Sequence, residues 1–216
     1  MTTNKLFASA ALLFAAAGTA HAFNYSESVS GDLPGTLAAS GGLNPLELIA
    51  TPGINSISLG VPAGGDRDYF RFEVPAGYVL SSILHKSYAS TDNLSFIGVQ
   101  GGTQVTVPIP LPMSEFPAAA ATLLGYLHFG PTTLDTNILD DLGASGSAVP
   151  PAIGFTGSLS AGNYAFWIQQ TGVEASYAFD FVLTPVPEPE QWVLMLGGGL
   201  LLAGRMHRTR SARKVD

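Results

Sequence analysis

The sequence predicts an all-β sandwich, and three observations predict it. Short stretches alternate apolar and polar residues with the period of a strand, Gly, Pro, Asn and Ser punctuate them, and helical periodicity is scarce. Tyr69-Phe70-Arg71-Phe72-Glu73-Val74 is the clearest case: Phe70, Phe72 and Val74 share one face, Arg71 and Glu73 the other, and Pro75-Ala76-Gly77 supplies a turn.

At the front, Lys5 precedes an apolar run from Leu6 to Ala17, and Ala20-His21-Ala22 follows as an A-x-A cleavage site. This is the layout of a secretory signal peptide, residues 1–22, too short for a span of about 20 residues. Cleavage after Ala22 leaves a mature chain starting at Phe23, outside the cytoplasm.

The body, residues 23–185, carries further expected strands. They are Asn55 to Val61, Val79 to Tyr88, Leu94 to Gln100, Gln104 to Val107, Leu123 to Phe129, Ile153 to Leu159, Tyr164 to Gln170 and Tyr177 to Thr184. In the last, Tyr177, Phe179, Phe181 and Leu183 share a side and Asp180 falls on the other. No internal repeat occurs, and the length suits one domain. Two insertions interrupt the strands. Val107 to Thr122 is broken by prolines, and Pro131 to Ala152 is long enough to be functional or mobile, with Thr133 to Leu142 able to form a short helix capped at Gly143. The bland reading, a solvated connector, is the preferred one for this second loop.

Charge is segregated. The chain has 9 basic and 16 acidic residues, yet between Phe23 and Pro185 only Arg67, Arg71 and Lys86 face 13 acids. Such a body repels phosphate polymers and anionic lipid, which excludes nucleic-acid binding. The chain contains no cysteine, so disulfides, thiolate metal sites and cysteine nucleophiles are absent.

The tail gathers the basic residues. Trp192 to Gly204 is an uncharged run of 13 residues; as a helix it reaches about 20 Å against a hydrocarbon core of about 30 Å, a marginal membrane anchor. Arg205, Arg208, Arg210, Arg213 and Lys214 follow at once and should stay cytoplasmic, leaving the preceding chain outside. Three consecutive glycines, Gly197 to Gly199, argue against a soluble amphipathic helix.

Val186-Pro187-Glu188-Pro189, the short hydrophobic helix and the Arg-rich end, in that order and spacing, resemble the PEP-CTERM sorting signal of Gram-negative bacteria. The resemblance implies processing near Pro187, Glu188 and Pro189 by an exosortase, transient residence in the inner membrane, and a mature protein of the cell envelope or of an exopolysaccharide or biofilm matrix. Within the body, Gly64 to Gly77 and Leu159 to Leu183 resemble the bacterial pre-peptidase C-terminal domain, which implies a jelly-roll-like sandwich. Those segments contain no catalytic residue.

Catalysis has little support in the residues. His21 leaves with the signal, His207 lies in the tail, and His85 and His128 stand singly in strand-like runs. There is no H-E-x-x-H, no G-x-S-x-G and no phosphate-cradling glycine loop. A triad assembled from distant strands stays open, but the expectation is a non-enzymatic protein without a resident cofactor. The sharper alternative is calcium. Asp66 and Asp68 flank Arg67, and Asp135, Asn137, Asp140 and Asp141 crowd the long loop, all hard oxygen donors that suit Ca²⁺ although neither stretch is an EF-hand. Solvated carboxylates are the bland reading of both groups. Trp167 lies out of phase with Tyr164, Phe166 and Ile168; an outward Trp of this kind can stack on carbohydrate, but a covering loop is the commoner outcome.

Three functions follow as expectations: an exported, non-enzymatic cell-surface or matrix protein, a Ca²⁺-dependent binding module, and a hydrolase accessory domain.

Overall fold

The computed structural model describes residues 23–35, 46–61, 66–107, 111–170 and 172–186. The expected signal peptide with Ala20 and Ala22, the Pro187-Glu188-Pro189 motif, the hydrophobic run and the basic tail lie outside these residues. No helix among the described residues is long and apolar enough to cross a membrane.

Among the described residues nine strands form two sheets. β1 (Asn24–Ser26), β3 (Gly53–Val61), β9 (Ala175–Pro185) and β5 (Tyr78–Ser90) make the first in the order β1-β3-β9-β5. β2 (Leu46–Ile49), β4 (Asp66–Val74), β8 (Gly162–Gln170), β6 (Ser95–Gly101) and β7 (Gly125–Phe129) make the second in the order β2-β4-β8-β6-β7. All pairings are antiparallel except β1 with β3 and β2 with β4.

The two sheets face each other over phenylalanines that the alternating pattern points inward. Phe70 of β4 stacks on Phe166 of β8 with centroids 5.1 Å apart, and Phe181 of β9 reaches across to Phe72 at 4.9 Å and Phe166 at 5.2 Å. All four are fully buried. Offset and edge-on aromatic pairs add about 0.5–1.5 kcal/mol each to the burial of their area, so this cluster is the centre of the fold.

The long insertion after β7 is part of the sandwich and not a solvated connector. A 3-10 turn (Pro131–Thr133) leads into a segment that runs along the free edge of β5: Asp135 donates its N–H to the His85 carbonyl at 2.8 Å, His85 donates to Thr136 at 3.1 Å, and Ile138 donates to Ile83 at 2.9 Å. The chain then forms a helix, Leu139–Ala144, rather than the expected Thr133 to Leu142, because Asn137 spends its side-chain oxygen on the Ile83 and Leu139 N–H groups. Ile138, Leu139 and Leu142 are buried in the main core.

Two further expectations are corrected. Ile153 to Leu159 makes only a single bridge, Leu80 with Leu159. Gln104 to Val107 is irregular and lends Val105 and Val107 to a second apolar cluster on the outer face of the β4-β8-β6-β7 sheet. That cluster contains Tyr69, Phe96 and Trp167, covered by the segment bearing a short helix at Phe116–Ala120. Trp167 is therefore the outward tryptophan roofed by a loop.

Candidate functional site

Where the first sheet starts, β1 runs parallel to β3 for only three residues, Asn24 with Ser56 to Ser26 with Ser58. The chain then turns through a single helical turn, Glu27–Ser30, and Gly31 at φ 94 closes it, with the Tyr25 hydroxyl donating to the Gly31 carbonyl at 2.5 Å. The turn points the Glu27 side chain back at the sheet. Its Oε2 accepts the Gly60 N–H at 2.6 Å, a donor just past the end of β1, and its Oε1 accepts the Leu33 N–H at 3.0 Å. Glu27 thus extends a sheet edge that the backbone has left.

Asp68 approaches from the other sheet. It sits on the inward face of β4 and is fully buried. Its Oδ2 accepts the Tyr177 hydroxyl at 2.7 Å, a hydrogen bond between the sheets, while Oδ1 is buried and receives no N–H or O–H donor. Asp32, in the segment after the first helical turn, completes the group: one carboxylate oxygen from each of Glu27, Asp32 and Asp68 lies within 4.8 Å of the others. A groove of about 510 Å³, lined by Ser26, Glu27, Asp32, Ser58, Gly60 and Ser176 among others, opens beside them.

The electrostatics match this geometry. Burial, then the neighbouring charge of Glu27, pushes the Asp68 carboxyl up to about 8, against the opposing hydrogen bond from Tyr177. Burial also raises Glu27, with the Gly60 and Leu33 N–H groups pulling the other way. Asp32 is raised by burial and by the charge of Asp66. Negative charges brought this close require a proton or a cation among them. Two oxygens bound to one Ca²⁺ at 2.3–2.6 Å lie at most about 5 Å apart. Three carboxylates of this spacing, with the Asp68 and Glu27 carboxyls in hydrogen-bonding contact and no N–H or hydroxyl donor on the buried Asp68 Oδ1, fit that ion.

The residues expected to hold calcium are only partly brought together. Asp68 belongs to the group. Asp66 acts on it through its charge alone, because its Oδ1 already takes the Arg67 N–H at 2.7 Å. Asp135 pairs with Lys86 at 3.0 Å, and Asp140 and Asp141 lie exposed in the first turn of the 139–144 helix. Asn137 is committed to backbone donors. Among the described residues no second carboxylate cluster forms in this loop. Glu27, Asp32 and Tyr177 carry no local motif that marks them; only the meeting of β1, β4 and β9 identifies them.

The histidines separate. His85 is buried, its Nδ1 2.8 Å from the Thr133 hydroxyl and its Nε2 3.0 Å from the Ser87 carbonyl, and it stacks on Phe179 at 5.1 Å. Burial lowers its pKa, so a neutral ring with the proton on Nε2 satisfies both contacts. It is a core residue tying the 131–137 segment to β5. His128 is exposed in a shallow depression with Asp141, Ser145 and Ser147. No hydrogen bond joins these four: the Ser145 hydroxyl donates to Leu142 and accepts from the Tyr126 N–H. The parts of an acid-base relay are near one another but unconnected.

Comparison with family models finds no match, and comparisons with curated proteins and with solved structures find none either.

Proposed function

We propose that this chain is an exported, non-enzymatic protein of the cell surface or of an exopolysaccharide or biofilm matrix, sorted by its C-terminal signal and handed to an exosortase at the inner membrane. The observation that carries this reading is the tripartite ending, Pro187-Glu188-Pro189, the apolar run Trp192 to Gly204 and the basic cluster from Arg205 to Lys214. The end of the body supports it. β9 finishes at Pro185, and the Val186 N–H donates to the Gly77 carbonyl at 2.8 Å, so among the described residues the last contact with the sheet lies at the threshold of the motif. A protease then cuts next to a folded body without unravelling it. Intact mass and C-terminal peptide mapping of protein from cell envelope and from culture matrix test the reading. A C-terminus near Pro187 to Pro189, with material in the matrix, is the expected result; an intact Asp216 in membranes alone overturns it.

The body is a single jelly-roll-like β-sandwich on this reading. The order β4-β8-β6-β7 faces β3-β9-β5, and the 134–138 segment takes the fourth place beside β5, which is how two antiparallel sheets interleave in a jelly roll.

A second reading, a Ca²⁺-dependent binding module, is favoured by the convergence of one oxygen each from Glu27, Asp32 and the buried Asp68 within 4.8 Å. Calcium there would tie the N-terminal segment to β4. A ligand held only by the folded state raises its melting temperature, by about 2.7 kcal/mol of stability at a hundredfold excess over Kd. Chelation of the purified full chain should therefore lower Tm. Equal melting with chelator and with millimolar Ca²⁺ removes this reading.

A further inference from the structure

On the outer face of the second sheet, register places four side chains in one row across four strands: Arg67 opposite Gln169, Gln169 opposite Phe96, and Phe96 opposite His128. Alternation dictates this, since each sits out of phase with the buried Phe70, Phe166 and Ile97. The covering segment stops short of the row, and a cavity of about 280 Å³ remains between the row and Phe116 and Met113.

The polar side of the cavity is held in a fixed arrangement. The Gln169 Oε1 accepts both the Arg67 Nε–H at 3.2 Å and the Trp167 indole N–H at 3.2 Å. With its oxygen doubly claimed, the amide of Gln169 has its NH₂ group left over, and the terminal nitrogens of Arg67 make no hydrogen bond or ion pair among the described residues. Two donor groups are presented side by side with no acceptor of their own. Arg67 is one of only three cations between Phe23 and Pro185, and unlike Lys86 it has no acidic partner among the described residues. His128, exposed at the far end of the row, adds a hydrogen-bonding edge, and partial desolvation of its ring lowers its pKa. The remaining walls are apolar: Phe96 lies with its ring 4.7 Å from Trp167 and 6.4 Å from Phe116, and Met113 stands 81% exposed at the rim.

This combination selects its ligand by chemistry. Paired N–H donors on a guanidinium and an amide call for a planar carboxylate. A row that is polar along one side and aromatic beneath calls for a ring with a hydroxylated edge and an apolar C–H face. The volume lies just below the range of about 300–1,000 Å³ usual for ligand clefts, enough for one ring. We propose that the cavity between the Arg67-Gln169-Phe96-His128 row and the Phe116 segment binds one carboxylate-bearing sugar unit, a uronate. It deepens the matrix reading, on which it rests for the source of the sugar alone. Because it is scored by binding and that reading by C-terminal mapping, failure of either leaves the other standing.

Calorimetric titration of the purified full chain in mild detergent tests it with three probes: galacturonate, a galacturonate trimer and a galactose trimer. Binding of the acidic trimer with no detectable binding of the neutral one is expected. An acidic trimer that binds more tightly than the monomer assigns the site to a polymer, and equal affinity assigns it to the free acid; both uphold the carboxylate site. Arg67→Gln should weaken binding by about tenfold or more, with Arg67→Lys recovering part of the loss, since lysine keeps the charge but not the fork. If Arg67→Gln fails to fold, Met113→Glu is the readout, because it places a repelling charge at an exposed rim and should weaken the acidic probe severalfold at unchanged Tm. Equal affinity for the neutral trimer, no heat with any acidic probe at about 10 mM, an affinity far weaker than the mM to μM range of specific sites, or a folded Arg67→Gln that binds as well as the parent overturns the proposal.

Discussion

Asp68 concentrates the conflict in this molecule. A carboxyl with one oxygen satisfied by Tyr177 and the other turned toward Glu27 is stable when neutral or when cation-bound. Asp68→Asn keeps the size and the contact to Tyr177 while removing the charge. We expect this variant to melt higher than the parent at about pH 8.5 in chelator, where the parent carboxyl is ionised, and to lose the upward shift with Ca²⁺. Differential scanning fluorimetry with and without Ca²⁺ measures both. Phe181 behaves in the ordinary way of a core residue: it touches Phe70, Phe72 and Phe166 across the sheets, and Phe181→Ala should destabilise by about 3–5 kcal/mol in urea unfolding.

Among the elements, the 131–152 segment departs most from its sequence-based reading. Its apolar residues are few and spaced like those of a loop, yet Ile138, Leu139 and Leu142 fill the core at the edge of β5. The helix packs so closely on β7 that a Cβ added at Gly125 would stand 2.2 Å from the Leu142 carbonyl oxygen. Backbone meets backbone there, so neither side can yield by rotating a side chain. Gly125→Ala is expected to cost about 1–3 kcal/mol, read as a lower urea midpoint with an unchanged slope. The strands divide in the same way. β3 to β9 were legible: β3 and β9 because half-buried strands alternate, and β8 because its inward Tyr164, Phe166 and Ile168 keep the period of two although Ala165 and Trp167 are covered on the outer face. β1 and β2 were not, because three or four residues hold too little pattern and their parallel pairing depends on a distant partner. Gln104 to Val107 looked like a strand because covering a sheet face also demands alternate apolar residues.

For the whole molecule, the pH dependence of stability combines two opposite effects. Folded Asp68 keeps its proton up to about pH 8, whereas the unfolded residue loses it near about pH 4, so the folded state binds more protons and stability falls as pH rises through that window. Glu27 and Asp32, both raised, act in the same direction. His85 is lowered; as pH drops below about 6.5 the unfolded chain takes the proton first, which offsets the gain from Asp68 there. In chelator, Tm should decline between about pH 6.5 and 8.5, and Ca²⁺ should flatten that decline by replacing the proton among the carboxylates. A parent chain whose Tm rises with pH across this range contradicts the assignment of Asp68.

Composition and periodicity by themselves determined the two-sheet β character, the inward faces of the long strands and the acidic, cysteine-free body, because these are local or summed properties of the chain. They also singled out Asp68 by its place at the start of a strand. Which carboxylates Asp68 meets was decided only in three dimensions. Glu27 and Asp32 lie far upstream on a segment that leaves β3 and meets β4 directly, its Pro34 carbonyl accepting the Tyr69 N–H at 3.3 Å, and the expected partners Asp135, Asp140 and Asp141 were drawn away by Lys86 and by the helix at 139–144. The row from Arg67 to His128 was likewise invisible, since cross-strand neighbours are set by the register of four strands that are distant in sequence. Alternation tells a side chain which face to take, and only the pairing of strands tells it whom it faces there.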